Sequence, residues 1–330
     1  MCLSWRINFV QCDNGGRNNV IGEDNIMVPL KKKDPDGSVM LQNKQGQFSF
    51  GTPSLDTILA NRIIFIGESI YGIAEFSQFK KELIKQINGR NWIVLFEADA
   101  PGMKLSQLRG DTEEQFLDNF PRIMQTFQTR ELIALAQKQG FPCLGIDVIP
   151  RRSDADFPQD WKADRSSFIH HYITARESDN WLSWRSAKIA QYIREIASHY
   201  PSSQLLVFLH NMHIKRDGRS ERPELRLMSA REHLDKDFAG QMYSIAQFAR
   251  AGRACHNDLT AFDFEINDPQ SIETLVDPQS SGWRLFKCEN LVQMKVAYHH
   301  AFEREAIDIR RQYEYAVLYG RVIPPEFIKK

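Results

Sequence analysis

Six ionisable residues stand where four short apolar runs end. They are Glu68 and Tyr71 in IIFIGESIYGIAEF (63–76), Glu97 in VLFEAD (94–99), Asp147 in GIDV (145–148), and His210 and His213 in LVFLHNMH (206–213). Three carboxylates, a phenol and two imidazoles gathered in one place make an acid/base centre. A neutral imidazole, with a pKa near ~6.5, takes a proton at pH 7, whereas a phenol near ~10 gives one. Taken singly, each residue has an ordinary structural reading: Glu97 as a surface carboxylate, Asp147 as a cap on the segment after it, the histidines bonded to backbone. Recurrence at four successive run ends is what points to a shared site.

Other chemistries lack their signatures. Gly67 and Gly72 have the spacing of phosphate-loop glycines, but Ile73 and Ala74 follow where Lys and Ser or Thr are required. No Gly-x-Ser-x-Gly nucleophile elbow occurs. A metal held by His210, His213 and two carboxylates is chemically reasonable, yet no ligand pair has a spacing that demands it. No cofactor or metal is therefore expected, and a divalent-metal-dependent hydrolase stands as a further alternative. The aromatic residues Trp161, Phe168, Tyr172, Trp181 and Trp184 read either as core or as the lining of an apolar pocket.

The elements that must position these side chains follow from periodicity. Ile63 to Ile66, Trp92 to Phe96, residues 141–148 and residues 204–213 are β-rich runs. Between them, apolar residues recur at three- and four-residue spacing. Phe76, Phe79, Leu83, Ile84 and Ile87 mark one helix; Phe116, Phe120, Ile123, Met124 and Phe127, continued by Leu132, Leu135 and Ala136, mark another; Ile189, Tyr192, Ile193 and Ile196 mark a third. Residues 151–175, rich in charge and aromatics, read as an insertion with some helix. Alternation of this kind predicts an α/β fold, a mainly parallel sheet flanked by helices on both faces with additional helical segments. Ligands of such sheets bind outside the carboxyl ends of the strands, where the six residues fall. Further strands are expected near Met242–Phe248, Trp283–Lys287 and Tyr315–Tyr319, with a helix near 290–311. Residues 1–50, including the loop-like KKKDPDGS (31–38), read as an arm or hairpin of unknown role before a single α/β catalytic domain over 51–330.

Composition removes several function classes. Of 330 residues, 42% are hydrophobic and 25% charged, and 42 basic residues balance 42 acidic ones. With no net field to gather nucleic acid or anionic lipid, the expected partner is a small-molecule substrate, with neither nucleic acid nor membrane. Five cysteines without a Cys-x-x-Cys pair read as reduced thiols. The N-terminus has no signal-peptide pattern and no apolar run approaches the ~20 residues of a membrane span, so a cytoplasmic location is expected.

The stretch FIGESIYGIAEFSQFKKELIKQI resembles the opening motif of the erythromycin esterase family, Gly-Glu-x-x-His-Gly-x-x-Glu-Phe followed by a helix. The similarity continues in order through VLFEAD, TRELIALAQ, GIDV, ARESDNWLSW, LVFLHNMHIKR and MYSIAQF, roughly residues 60–250. The resemblance implies a cleft in which a histidine activates water, with glutamates orienting it. The family's glutamates fall on Glu68 and Glu97, its later histidines on His210 and His213, and its motif histidine on Tyr71. A neutral phenol there acts as donor or general acid, so a surviving base would be His210 or His213, helped by Glu68 or Glu97. Lys80 replaces an arginine of the family and loses the bidentate fork. Lys80, Asp147, Arg176 and Asn211 are the expected substrate contacts. The implied function is acid/base chemistry on a small polyfunctional metabolite, either ester hydrolysis or a biosynthetic tailoring step such as elimination, cyclisation or acyl transfer. The alternative is a ligand-binding homologue that has lost the hydrolase chemistry.

Overall fold

The computed structural model describes residues 41–42, 48–49, 52–87, 91–221, 227–299 and 302–328. A short antiparallel ribbon pairs β1 (Leu41–Gln42) with β2 (Phe48–Ser49); the rest of residues 1–50, read from sequence as an arm or hairpin, and the 31–38 loop lie outside the described residues. There follow α1 (Thr52–Leu59), β3 (Ile63–Glu68), α2 (Phe76–Gln86), β4 (Trp92–Asp99), α3 (Ala100–Arg109), α4 (Glu113–Phe116), α5 (Phe127–Lys138) and β5 (Cys143–Asp147). Next come α6 (Lys162–Arg176), α7 (Trp181–His199), β6 (Gln204–His210), α8 (Gly218–Glu221), α9 (Ala230–Phe238), β7 (Met242–Cys255) and β8 (Ala261–Glu265). The chain closes with β9 (Trp283–Lys287), β10 (Val296–His299), β11 (Glu303–Ala306), α10 (Ile309–Gln312) and β12 (Tyr315–Val322).

Eight strands form one sheet in the order β5-β4-β6-β3-β7-β12-β9, with β8 paired to β7. The pairings from β5 through β12 are parallel, and β9 and β8 join antiparallel. Continuous apolar runs make such strands because both faces are covered. On one face Ile64, Ile66, Val94, Phe96, Leu206 and Phe208 pack under α2 and α5; on the other Ile63, Phe65, Ile93, Leu95, Leu205 and Val207 pack under α7 and α9. Each fully buried side chain of this kind contributes roughly 1.5–3 kcal/mol. The α/β architecture is as the sequence predicts, and its register aligns the strand ends: Glu68 lies between His210 and Gln247, and Asp99 beside Asp147.

Two expectations are corrected. The stripe from Phe116 to Ala136 is not one helix. α4 passes into 3₁₀ turns at Leu117–Asn119 and Arg122–Met124 before α5 begins, because Pro121 has no amide hydrogen to donate and Thr126 caps the new start through Thr129 N. The described residues of 290–311 do not form the expected helix either. They hold the β10/β11 hairpin, in register from Val296↔Ala306 to His299↔Glu303, and enter the single-turn α10. Its turn ends at Phe302, whose φ of 64 no sequence marker announces, since glycine or asparagine is the usual occupant of that region.

Candidate active site at the strand ends

Glu97, 2% exposed at the end of β4, is the acceptor on which the site converges. Its Oε2 accepts the Tyr71 hydroxyl and, at 2.9 Å, the His210 amide; its Oε1 accepts Nη2 of Arg185 at 2.5 Å. Arg185, from the first turns of α7, also grips Asp147 through Nε and Nη2 at 2.8 and 2.9 Å, the bidentate geometry in which guanidinium and carboxylate bind most firmly. Its Nη1 lies 3.3 Å from His213 Nε2, and His213 Nδ1 lies 2.9 Å from Ser186 Oγ. An arginine thus ties the ends of β4 and β5 to the turn after β6.

Two glycines allow the strand-end loops to nest. A Cβ on Gly67 would stand 2.2 Å from Asn211 Oδ1, and one on Gly72 would stand 2.0 Å from the Cys255 carbonyl oxygen. The first contact seats the Asn211–His213 turn against β3; the second seats the Tyr71 loop against the end of β7. Asn211, fully buried, donates to the Gln247 carbonyl at 3.1 Å, and its own carbonyl accepts the Tyr313 hydroxyl at 3.3 Å. His210 caps the turn: Nδ1 accepts Met212 N at 3.3 Å, which leaves Nε2 to donate to the Ser69 carbonyl at 2.9 Å. Its ring meets Tyr71 edge-on, with centroids 5.5 Å apart.

The electrostatics separate donors from acceptors. Burial, with the Glu97 charge beside it, holds the Tyr71 hydroxyl well above the usual phenol value, so it is a neutral donor at pH 7. Burial also pushes Glu97 up, but the Arg185 charge and the bonds from Tyr71 and His210 bring it below the usual carboxylate value, and it stays ionised. Glu68 goes the other way: burial raises it, against the opposing pull of the Lys80 ammonium bonded to Oε1. Burial takes His210 down to about 4, and burial with Arg185 takes His213 well below its ordinary value, so both are neutral imidazoles.

Of the residues nominated from sequence, Glu68, Tyr71 and Lys80 line a narrow cleft closed by Phe96, Phe208 and Thr129 of α5. It leaves about 30 Å³ of space for water-sized groups, more than the roughly 10–15 Å³ that one water needs. Glu97, which accepts the Tyr71 hydroxyl, and His210, His213, Asp147 and Asn211 are not among the residues lining this cleft. Arg176 is apart from the cluster, exposed at the end of α6 and bonded to Tyr172 Oη at 2.8 Å. Arg185 was not nominated, although a signal existed: it sits four residues before Ile189 and eight before Ile193, a charge on the buried stripe of α7. Gln247 was also missed; its Oε1 accepts Tyr319 Oη at 2.9 Å and its carbonyl accepts from Ser69 and Asn211. Among the described residues, no group of three or more His, Cys, Asp and Glu side chains is arranged to hold a metal ion, and no helix is long and apolar enough to cross a membrane.

No family model matches the chain, and no curated protein matches its sequence. Solved structures do. A Bacillus cereus protein superposes with a TM-score of 0.64 at 11% identity, over 84% of this chain and 92% of its own. A succinoglycan biosynthesis protein gives 0.65 at 12% identity over 84% and 92%. A mutant of the erythromycin esterase EreC in its open conformation gives 0.62 at 12% identity over 87% and 98%. The chain has the erythromycin esterase-like fold.

Proposed function

We propose that the protein is an enzyme performing acid/base chemistry on a small molecule, with Tyr71 as proton donor and Glu68 as proton acceptor. The observation that carries this reading is the meeting of Glu68, Tyr71 and Lys80 in one cleft with Glu97 bonded to the phenol, the two carboxylates shifting in opposite directions. Glu97 stays charged and holds the Tyr71 O–H until a substrate oxygen competes for it, so donation requires the phenol hydrogen to turn from Glu97 to the substrate; Glu68, raised by burial and facing the same cleft, is placed to exchange a proton. Lys80 neutralises Glu68 when it is ionised and brings a positive charge to the position where an oxyanion would form. Within this scheme Glu97, Arg185, His213 and Asp147 are positioning residues. The reaction class that fits is hydrolysis of an ester, or an elimination, cyclisation or acyl transfer, in each of which a leaving or carbonyl oxygen takes the Tyr71 proton.

A second reading, a binding protein without turnover, draws on one observation: both ring nitrogens of His210 and of His213 are already engaged, so neither imidazole presents an unshared nitrogen to the cleft. Mass spectrometry of activated esters and metabolite mixtures before and after incubation separates the two. For the enzyme, Tyr71→Phe lowers the rate by ~10²–10⁴-fold while the fold is kept. Recovery of every compound unchanged, or wild-type turnover in Tyr71→Phe, would overturn it.

A further inference from the structure

The cleft that holds Glu68, Tyr71 and Lys80 has room for water and for little else. Its space of about 30 Å³ falls far short of the ~150 Å³ of a cavity that takes up one benzene ring. A substrate therefore reaches these side chains only when part of the wall moves. Most of the wall is fixed: Phe96 and Phe208 stand on β4 and β6 inside the sheet, and Lys80 and Leu132 are buried on α2 and α5. Pro325 is different, because it belongs to residues 323–328, which follow β12 and lie outside the sheet.

These six residues cross the cleft as a strap between two of its walls. At one end the Ile323 carbonyl accepts Ala74 N at 3.0 Å and Ile323 N donates to Glu75 Oε2 at 2.9 Å, both on the loop that carries Tyr71. At the other end Phe327 pairs antiparallel with Thr126. There the Glu326 carbonyl accepts Phe127 N at 2.9 Å, Ile328 N donates to the Gln125 carbonyl at 3.1 Å, and Glu326 N donates to Gln128 Oε1 at 3.2 Å. Thr126 and Gln128 themselves line the cleft, so this end closes on its rim. Hydrogen bonds hold the strap more than burial does. Of its side chains only Pro325 is buried; Phe327 and Ile328 are half-buried, and Ile323 is 60% exposed. A segment held this way opens at low free energy, since few buried apolar contacts are lost. The strap also accounts for Glu75, which stands in the GESIYGIAEF stretch yet does not line the cleft.

We propose that residues 323–328 are a gate: the strap lifts from Glu75 and from residues 125–128 to admit substrate, and reseats to exclude bulk water. The gate rests on the reading of this cleft as the reacting site, and its test measures access without turnover.

Ser77→Cys places a thiol in the cleft wall, where Ser77 is 7% exposed. Alkylation of the folded full chain by iodoacetamide, resolved by residue with mass spectrometry, reads the opening. Cys143, 2% exposed on β5 and not part of the cleft, reports global unfolding in the same sample. With the native strap, residue 77 is expected to react far more slowly than a free thiol and faster than Cys143. Glu75→Ala and Phe327→Ala, which release opposite ends of the strap, should each speed residue 77 about tenfold, the scale of one lost hydrogen bond to a carboxylate, and leave Cys143 unchanged. A variant in which Cys143 speeds up in step has loosened the whole fold, and the other variant then decides. A rate at residue 77 that equals that of a free thiol, that equals that of Cys143, or that stays unchanged in the folded strap variant overturns the gate. Strap opening without turnover of any compound would remove the acid/base reading alone.

Discussion

Arg185 carries more of the site than any residue at a strand end. It neutralises Asp147 and Glu97, which are 0% and 2% exposed, and such carboxylates are tolerable only while paired. Arg185→Met, of similar reach and no charge, strands both, and the cost is expected to be about 3–5 kcal/mol. Chemical denaturation reads it; a loss under about 1 kcal/mol would mean that the pair is solvated instead. The same substitution frees Glu97 to take up a proton, so any turnover that depends on Tyr71 should fall with it. Tyr71→Phe keeps the ring against His210 but removes a hydrogen bond to the buried, ionised Glu97, so it should lower the rate and also cost roughly 1.5–3 kcal/mol of stability.

At the scale of elements, close approach decides how the site is assembled. In Gly67→Ala the new methyl meets Asn211 Oδ1 and Ile214 Cδ1, at 2.2 and 2.6 Å, and the Asn211–His213 turn must retreat. Overpacking of this kind costs about 1–3 kcal/mol, and here it would also displace His210 from Ser69. A melting temperature equal to wild type would show that the turn yields freely. The β10/β11 hairpin depends on another buried group. Glu273, 1% exposed, accepts Tyr298 N at 2.8 Å and the Ser271 hydroxyl, and burial pushes its pKa up to about 7. The folded protein therefore binds this proton more tightly than the unfolded chain, whose value is near 4.5. Between those two pH values the contribution of Glu273 to stability falls as pH rises, by about 1.4 kcal/mol per pH unit, and levels off above 7. Glu273→Gln should remove that slope, so the difference in denaturation midpoint between variant and wild type should grow across this window; a constant difference would contradict the assignment.

At the scale of the molecule, the sheet and the α6 segment differ in how they are held. The strands are buried on both faces, whereas α6 buries only Arg165, which pairs with Asp99 and Asp154. Hydrogen exchange measured by mass spectrometry should therefore show the amides of 162–176 exchanging well before those of α7, which buries Ile189, Ile193 and Ile196. Equal protection of the two helices would mean that α6 is held by more than Arg165. The continuous apolar runs made the parallel sheet legible, because a strand covered on both faces needs apolar residues at every position. The hairpin at 296–306 was not legible, because its turn carries no glycine marker and its Val296–His299 strand is too short to set a period of two against one of 3.6.

The residue types alone determined an α/β chain whose carboxylates, phenol and imidazoles stand at successive strand ends, since burial requires apolar runs and function interrupts them only where they stop. Tertiary structure decided which of these residues face open space and which stand behind. Depth depends on register and on side chains from distant elements: Glu68, Tyr71 and Lys80 reach the cleft, while Glu97, His210 and His213 are sealed by Arg185, Ser69 and Ser186. Arg185 lies 88 residues from Glu97 in the chain, and only the packing of α7 over β4 and β5 makes them partners.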